Sequence, residues 1–189
     1  MTLRTDVSDP DAVEALARRA FEALGGVHLL CNNAGVLGGH QDPIWEATLN
    51  DWRWIFGVNV WGVIHGLRSF VPRMLEAGNE GWIVNTASMG GLVPGNSPYG
   101  VSKHAVVAIT EALYSHLRTR DAPVGCSVLC PIYVKTQILQ ATRNRPADLT
   151  DPGPANQFYI WPGDTVDTIV KTRFDHILSR TNPNPRPFG

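Results

Sequence analysis

Tyr99 and Lys103 stand four residues apart in SPYGVSK (97–103), just after a loop that holds Gly90, Gly91, Pro94 and Gly95. If this stretch opens a helix, the two side chains share one face, a single turn apart. A free tyrosine has a pKa of about 10 and is a poor base at neutral pH. A nearby ammonium group favours the phenolate and lowers that value. The pair then reads as an acid/base couple, able to take a proton from an alcohol or return one to a developing alkoxide. The other reading is a helix-start tyrosine beside a solvated lysine. Ser88 could donate a hydrogen bond to the same substrate oxygen, with Thr86 and Ser97 competing for that place. Asn59, in GVNVWG, sets an amide inside an otherwise apolar helix and needs a partner if buried. Such a set predicts carbonyl/alcohol interconversion, with the hydride supplied by a cofactor.

Positioning these residues requires strands and helices in a fixed order. Residues 8–24 carry the apolar spacing of a one-sided helix in Val13, Leu16, Ala17, Ala20, Phe21 and Leu24. Ser8 is its expected cap, Asp11 the capping-box acid, and Gly25-Gly26 its end. VHLLCN (27–32), WIVNTA (82–87) and GCSVLC (125–130) are short apolar runs, as expected of strands covered on both faces. A helical stretch over 48–77, in two pieces about Pro72, and another over 99–119 separate them. Crossovers of this length predict an α/β fold with a parallel sheet wound by helices. One domain should span 1–189, with 137–162 as a loop over the substrate, a helix at 165–178 and a flexible tail at 181–189.

In an open parallel sheet, ligands bind outside the carboxyl ends of the strands. The suspicious clusters fall there: Asn32-Asn33-Ala34-Gly35, Thr86-Ala87-Ser88, and residues 131–136. Small residues at such ends let a flat ligand approach the backbone.

Composition narrows the alternatives. The chain of 189 residues is 43% hydrophobic with a formal net charge of −1. That leaves no basic surplus for a nucleic acid. No apolar run approaches the roughly 20 residues of a membrane span, and MTLRTDVSDP lacks the apolar core of a signal peptide. Cys31, Cys126 and Cys130 are embedded in apolar runs and are expected to be buried free thiols in a reducing cytoplasm. No Cys or His spacing predicts a metal site. The tryptophans, including Trp45, Trp52, Trp54 and Trp61, are expected to pack helices.

The ordered set DVSD, NNAG, GVNVWG, IVNTAS, YGVSK and CPIYVKT, from residue 5 to about residue 140, resembles the short-chain dehydrogenase/reductase family in its single-domain branch. The resemblance implies an incomplete Rossmann-like fold and NAD or NADP as cofactor. Tyr99 would be the catalytic acid/base, and Lys103 its pKa-lowering partner and a contact to the nicotinamide ribose. Ser88 would orient the substrate oxygen, and Asn59 would hold a water in a proton relay. Asp6 and Val7 would meet the adenine. Asn33, Ala34 and Gly35 would line the adenosine ribose side, Val134 and Thr136 would hold the carboxamide, and Asn32 would brace the sheet. Helices 48–77 and 99–119 would form a homo-oligomer interface. The apolar Ile138, Leu139, Phe158, Tyr159 and Trp161 point to a hydrophobic alcohol or ketone.

The sequence also departs from that pattern. The family places a Gly-rich phosphate turn, T-G-x-x-x-G-x-G, after a first strand. No two glycines here are spaced two apart. The expectation is a chain lacking about two strand–helix units, roughly 60 residues at about 30 each. VHLLCN would then be an exposed apolar edge. Ile132 replaces the glycine usual after the proline of the third strand, and no final strand is recognisable. Two other readings stand beside the oxidoreductase. One is an inactive remnant acting through helix-mediated association, and the other an epimerase or dehydratase of the extended branch.

Overall fold

A computed structural model describes residues 1–38, 44–95, 97–132, 134 and 136–149. Within them the order is α1 (Pro10–Leu24), β1 (Leu29–Asn32), α2 (Leu49–Phe56), a π-helical turn (Gly57–Trp61), α3 (Gly62–Ala77), β2 (Gly81–Thr86), α4 (Pro98–Thr119) and β3 (Val124–Leu129). Short 3-10 turns lie between β2 and α4, at Met89–Gly91, and after β3, at Ile138–Asn144 and Ala147–Leu149. The expected helix 165–178, the tail and residues 150–162 of the expected substrate loop, with Phe158, Tyr159 and Trp161, lie outside the described residues.

The three strands form a parallel sheet in the order β1-β2-β3, with Leu30 opposite Ile83 and Ile83 opposite Cys126. This is the expected α/β, Rossmann-like arrangement of a parallel sheet flanked by helices. Leu30, Ile83, Val124 and Cys126 point to one face and join Val13, Ala17 and Ala20 of α1, Phe70 and Met74 of α3, and Leu117 of α4 in the main core. Right-handed crossovers that progress in one direction put their helices on one side of a sheet. Residues of the opposite face are therefore open among the described ones: Leu29 is 59% exposed, Trp82 49% and Leu129 50%.

Several expectations are corrected. VHLLCN is not covered on both faces: β1 is an edge strand in which only Leu30 is buried, and Cys31 points to the open face and is exposed. Asp9, not Ser8, caps α1 by accepting from the Asp11 N–H, because the Ser8 hydroxyl is engaged by the Asp6 carboxylate. The 48–77 helix does not break at Pro72, which sits inside α3 between the core residues Phe70 and Met74. Its irregularity falls at 57–61, where the backbone stays helical but winds as a π turn. Trp54 does pack in a core at 2% exposure, whereas Trp45 is 81% exposed.

One close approach fixes the sheet against α3. A Cβ at Gly66 would overlap the Asn32 amide, so a glycine is required there. The Asn32 Nδ2 donates to Asn85 Oδ1 at 2.9 Å, and Asn85 Nδ2 to Thr110 Oγ1 at 3.0 Å. These bonds tie β1, β2 and α4 across the buried face.

Candidate active site

Tyr99 is the second residue of α4. That helix starts where Ser97, in extended conformation, accepts the Gly100 N–H at 3.4 Å and Pro98 fills a position needing no donor. Lys103 follows one turn later and is 3% exposed. Its Nζ donates to Thr86 O at 2.9 Å and lies 5.6 Å from the centroid of the Tyr99 ring. Burial pulls the Lys103 pKa down from 10.5 to about 8, against an opposing pull from the Cys130 thiol.

Tyr99 shifts the other way. Burial raises its pKa above 10.0, and hydrogen bonding with Ser88 works against that rise. The expected lowering by Lys103 is thus corrected for this arrangement. The ammonium faces the ring and is held by a carbonyl, so desolvation of the phenol dominates. A neutral Tyr99 at pH 7 is a proton donor.

Of the three candidate hydroxyls, Ser88 is the one whose influence on Tyr99 opposes that rise. Its Oγ donates to Pro131 O at 3.5 Å and caps the turn after β2 by accepting the Gly90 N–H at 3.1 Å. Thr86 Oγ1 instead donates to Asn33 Oδ1 at 3.0 Å, and Ser97 serves α4.

Asn59 lies in the π turn, 1% exposed. Its Oδ1 accepts the Val36 N–H at 2.8 Å, while its Nδ2 donates to Val36 O at 2.9 Å and to Ser102 Oγ at 3.0 Å. Ser102 Oγ donates onward to Tyr99 O at 2.7 Å. The side chain is a clamp between the loop after β1 and the first turn of α4. Its amide nitrogen has no proton left for a water.

Sequence reasoning missed Ser102, the Thr86 carbonyl and the Val36 peptide. Ser102 had a signal, a small polar residue beside Lys103 in YGVSK. The two backbone groups had none.

The remaining predicted residues divide. A Cβ on Gly35 would sit 3.4 Å from both Asn59 Oδ1 and Lys103 Nζ, so the backbone passes close to the ammonium there. Val7, Asn33 and Ala34 line one cavity of about 110 Å³ together with Asn32, Gly62 and Gly66. The His65 Nδ1 lies 3.0 Å from Val7 O and holds that segment to α3. Asp6 is exposed, with Oδ1 accepting from the Ser8 N–H at 2.9 Å and the Ser8 hydroxyl at 2.7 Å. Val134 is 62% exposed, and Thr136 Oγ1 accepts the Ile138 N–H at 3.4 Å. A nicotinamide cofactor fits these residues. A glycine passage beside a buried ammonium, an adjoining cavity and small exposed side chains occupy the carboxyl ends of β1 and β2 and the segment after β3. Among the described residues no group of three or more His, Cys, Asp or Glu could hold a metal ion.

A family profile described as "short chain dehydrogenase" matches residues 1–147, which contain every candidate catalytic and cofactor-binding residue named above. The chain belongs to the short chain dehydrogenase family. Among curated relatives of this short chain dehydrogenase, a 1-deoxy-11-beta-hydroxypentalenate dehydrogenase of Streptomyces exfoliatus is 35% identical over 199 residues, covering 96% of this chain and 72% of the relative. A protein of the same name from Streptomyces avermitilis is 41% identical over 188 residues, covering 91% and 69%. A crystal structure of a short chain dehydrogenase/reductase from Burkholderia phymatum in complex with NAD superposes with a TM-score of 0.88 at 40% identity, covering 97% of this chain and 78% of that one. By family the short chain dehydrogenase is an oxidoreductase, and its parallel sheet flanked by helices matches these neighbours. No helix among the described residues is long and apolar enough to cross a membrane.

Proposed function

We propose that the chain interconverts a hydrophobic secondary alcohol and its ketone, with NAD or NADP as cofactor and Tyr99 as the acid/base. The observation that carries this reading is a protonated, half-buried Tyr99 beside Ser88, one turn from a buried Lys103. Bound nicotinamide would supply or accept the hydride. Lys103 and Gly35 would hold its ribose side, with Asn33, Ala34, Asp6 and Val7 further along and Val134 and Thr136 at the carboxamide.

In the reductive direction the Tyr99 hydroxyl donates its proton to the developing alkoxide, and the Ser88 hydroxyl donates a hydrogen bond to the same oxygen. Lys103, whose Nζ lies 5.6 Å from the ring centroid, is then a cation beside the phenolate left behind. In oxidation the phenolate form is needed, and the positive charge of Lys103 favours it.

The Burkholderia relative's complex with NAD supports NAD as the first cofactor to test. The hydroxylated compound in the name of the Streptomyces relatives supports an alcohol as substrate. Assembly would use α2–α3 and α4, where Leu49, Trp61, Val101 and Tyr114 are exposed, and three free thiols suit the cytoplasm. The inactive-remnant reading has less support, since a chain without chemistry has no use for a desolvated lysine.

The test is reduction of NAD and of NADP by the wild-type chain with a panel of apolar secondary alcohols, beside Tyr99→Phe. Turnover that falls by about 10² or more in Tyr99→Phe, with an unchanged circular dichroism spectrum, is expected. Equal rates in both would overturn the assignment.

A further inference from the structure

Arg145 and Asp51 form a buried ion pair that the chemistry above does not use. Arg145 Nη1 lies 2.6 Å from Asp51 Oδ1, with side chains 9% and 3% exposed. The second Asp51 oxygen accepts the Thr48 hydroxyl at 2.9 Å. The Arg145 Nε donates to Leu149 O at 2.6 Å, and its guanidinium stacks 5.2 Å from the centroid of the Trp54 ring. The contact joins positions 94 residues apart.

The segment it anchors runs through Ile138–Asn144 and Ala147–Leu149 and begins at Thr136, in the expected carboxamide site. Its apolar contribution is thin. Ala141 and Leu149 meet Val36, Trp54 and Ile55 in a small cluster. Val36 in turn is clamped by Asn59, which reaches Tyr99 through Ser102. A planar guanidinium fixed to a carboxylate, a carbonyl and an indole sets geometry that two small apolar contacts cannot.

We propose that the Asp51–Arg145 pair is a latch that holds residues 137–149 against α2, and that it positions this wall of the site for substrate binding without touching substrate. The substrate half of this inference rests on the oxidoreductase reading; the latch itself does not.

Amide hydrogen exchange on the full chain tests the latch. Arg145→Met should raise exchange over 137–149 at least tenfold, with α4 and β2 changed less than twofold, and Arg145→Lys should fall between. Breaking one partner of a buried pair leaves an uncompensated charge, whereas removing both does not. The double variant Asp51→Asn, Arg145→Met therefore serves if Arg145→Met fails to fold, and it should show the same local rise. Unchanged exchange over 137–149, or an equal rise throughout α4, would overturn the latch. In steady-state assays Arg145→Lys should raise KM for the alcohol at least fivefold with kcat within threefold and cofactor Kd within twofold. A fall in kcat at constant KM would overturn the positioning role. If wild-type protein turns over no alcohol, the oxidoreductase reading falls, while exchange still decides the latch.

Discussion

Lys103 is the residue whose ionisation is most exposed to test. Its pKa in the folded chain is lowered from 10.5 to about 8 by burial. Between those two values the unfolded chain binds the proton and the folded chain does not. Stability due to this residue therefore rises with pH across that window, by up to about 1.4 kcal/mol per pH unit. Tyr99, Cys126 and Cys130 have raised values and contribute the opposite slope at alkaline pH. The comparison that isolates the lysine is wild type against Lys103→Met. In urea titrations from pH 7 to pH 10, the stability of wild type relative to the variant should climb once pH passes about 8. A difference that stays flat would mean that Lys103 remains charged inside the fold. The sequence made Tyr99 and Lys103 legible as a same-face pair through their four-residue spacing at a helix start, while Ser88 stood level with Thr86 and Ser97 until the ordered motifs around it were read together. The sign of the tyrosine shift was not legible, since spacing says nothing about burial.

At the scale of elements, the π turn and the loop after β1 act as one unit through Asn59. Asn59→Ala would leave the Val36 N–H and C=O without partners inside the protein. Each buried group left unmade costs about 1–3 kcal/mol. We expect a loss of about 3 kcal/mol in denaturant midpoint experiments, together with faster amide exchange around Val36. A loss below about 0.5 kcal/mol would show that the clamp is relieved by water. Strands and helices were readable from apolar runs and periodicity, with bounds off by one or two residues. The interruption of the long helix was misplaced at Pro72 because a proline is visible in a sequence. A π turn is an outcome of the Asn59 bonds to a loop 23 residues away, and local residue preferences do not encode it.

At the scale of the whole molecule, the described sheet has one packed face and one open face, and its thiols divide accordingly. Cys31 is exposed on β1, whereas Cys126 is buried in the main core. A thiol reagent should therefore label Cys31 about a hundredfold faster than Cys126 in native buffer, read by peptide mass spectrometry. Similar rates would mean that the core opens or that the β1 face is covered. The helical side carries exposed Trp61, Val101 and Tyr114. Sedimentation velocity should show wild type as a dimer or larger and a Val101→Glu, Tyr114→Glu variant as a monomer; a monomeric wild type would exclude the helical interface. The expectation of three buried cysteines failed because a strand's apolar run does not reveal which face its neighbours leave bare. Finally, the π turn takes up an extra residue locally, so α2 and α3 keep a common phase on either side of it. Deleting Asn59 would rewind 57–61 as plain α-helix with α2 still in register, so Asp51 would keep Arg145 while the clamp on Val36 was lost. A one-residue deletion in the first turns of α3 would instead turn α2 against α3 by about 100° and carry Asp51 off Arg145. The five residues are a slack link in an otherwise rigid rod, and a one-codon deletion there should be better tolerated than one inside α3.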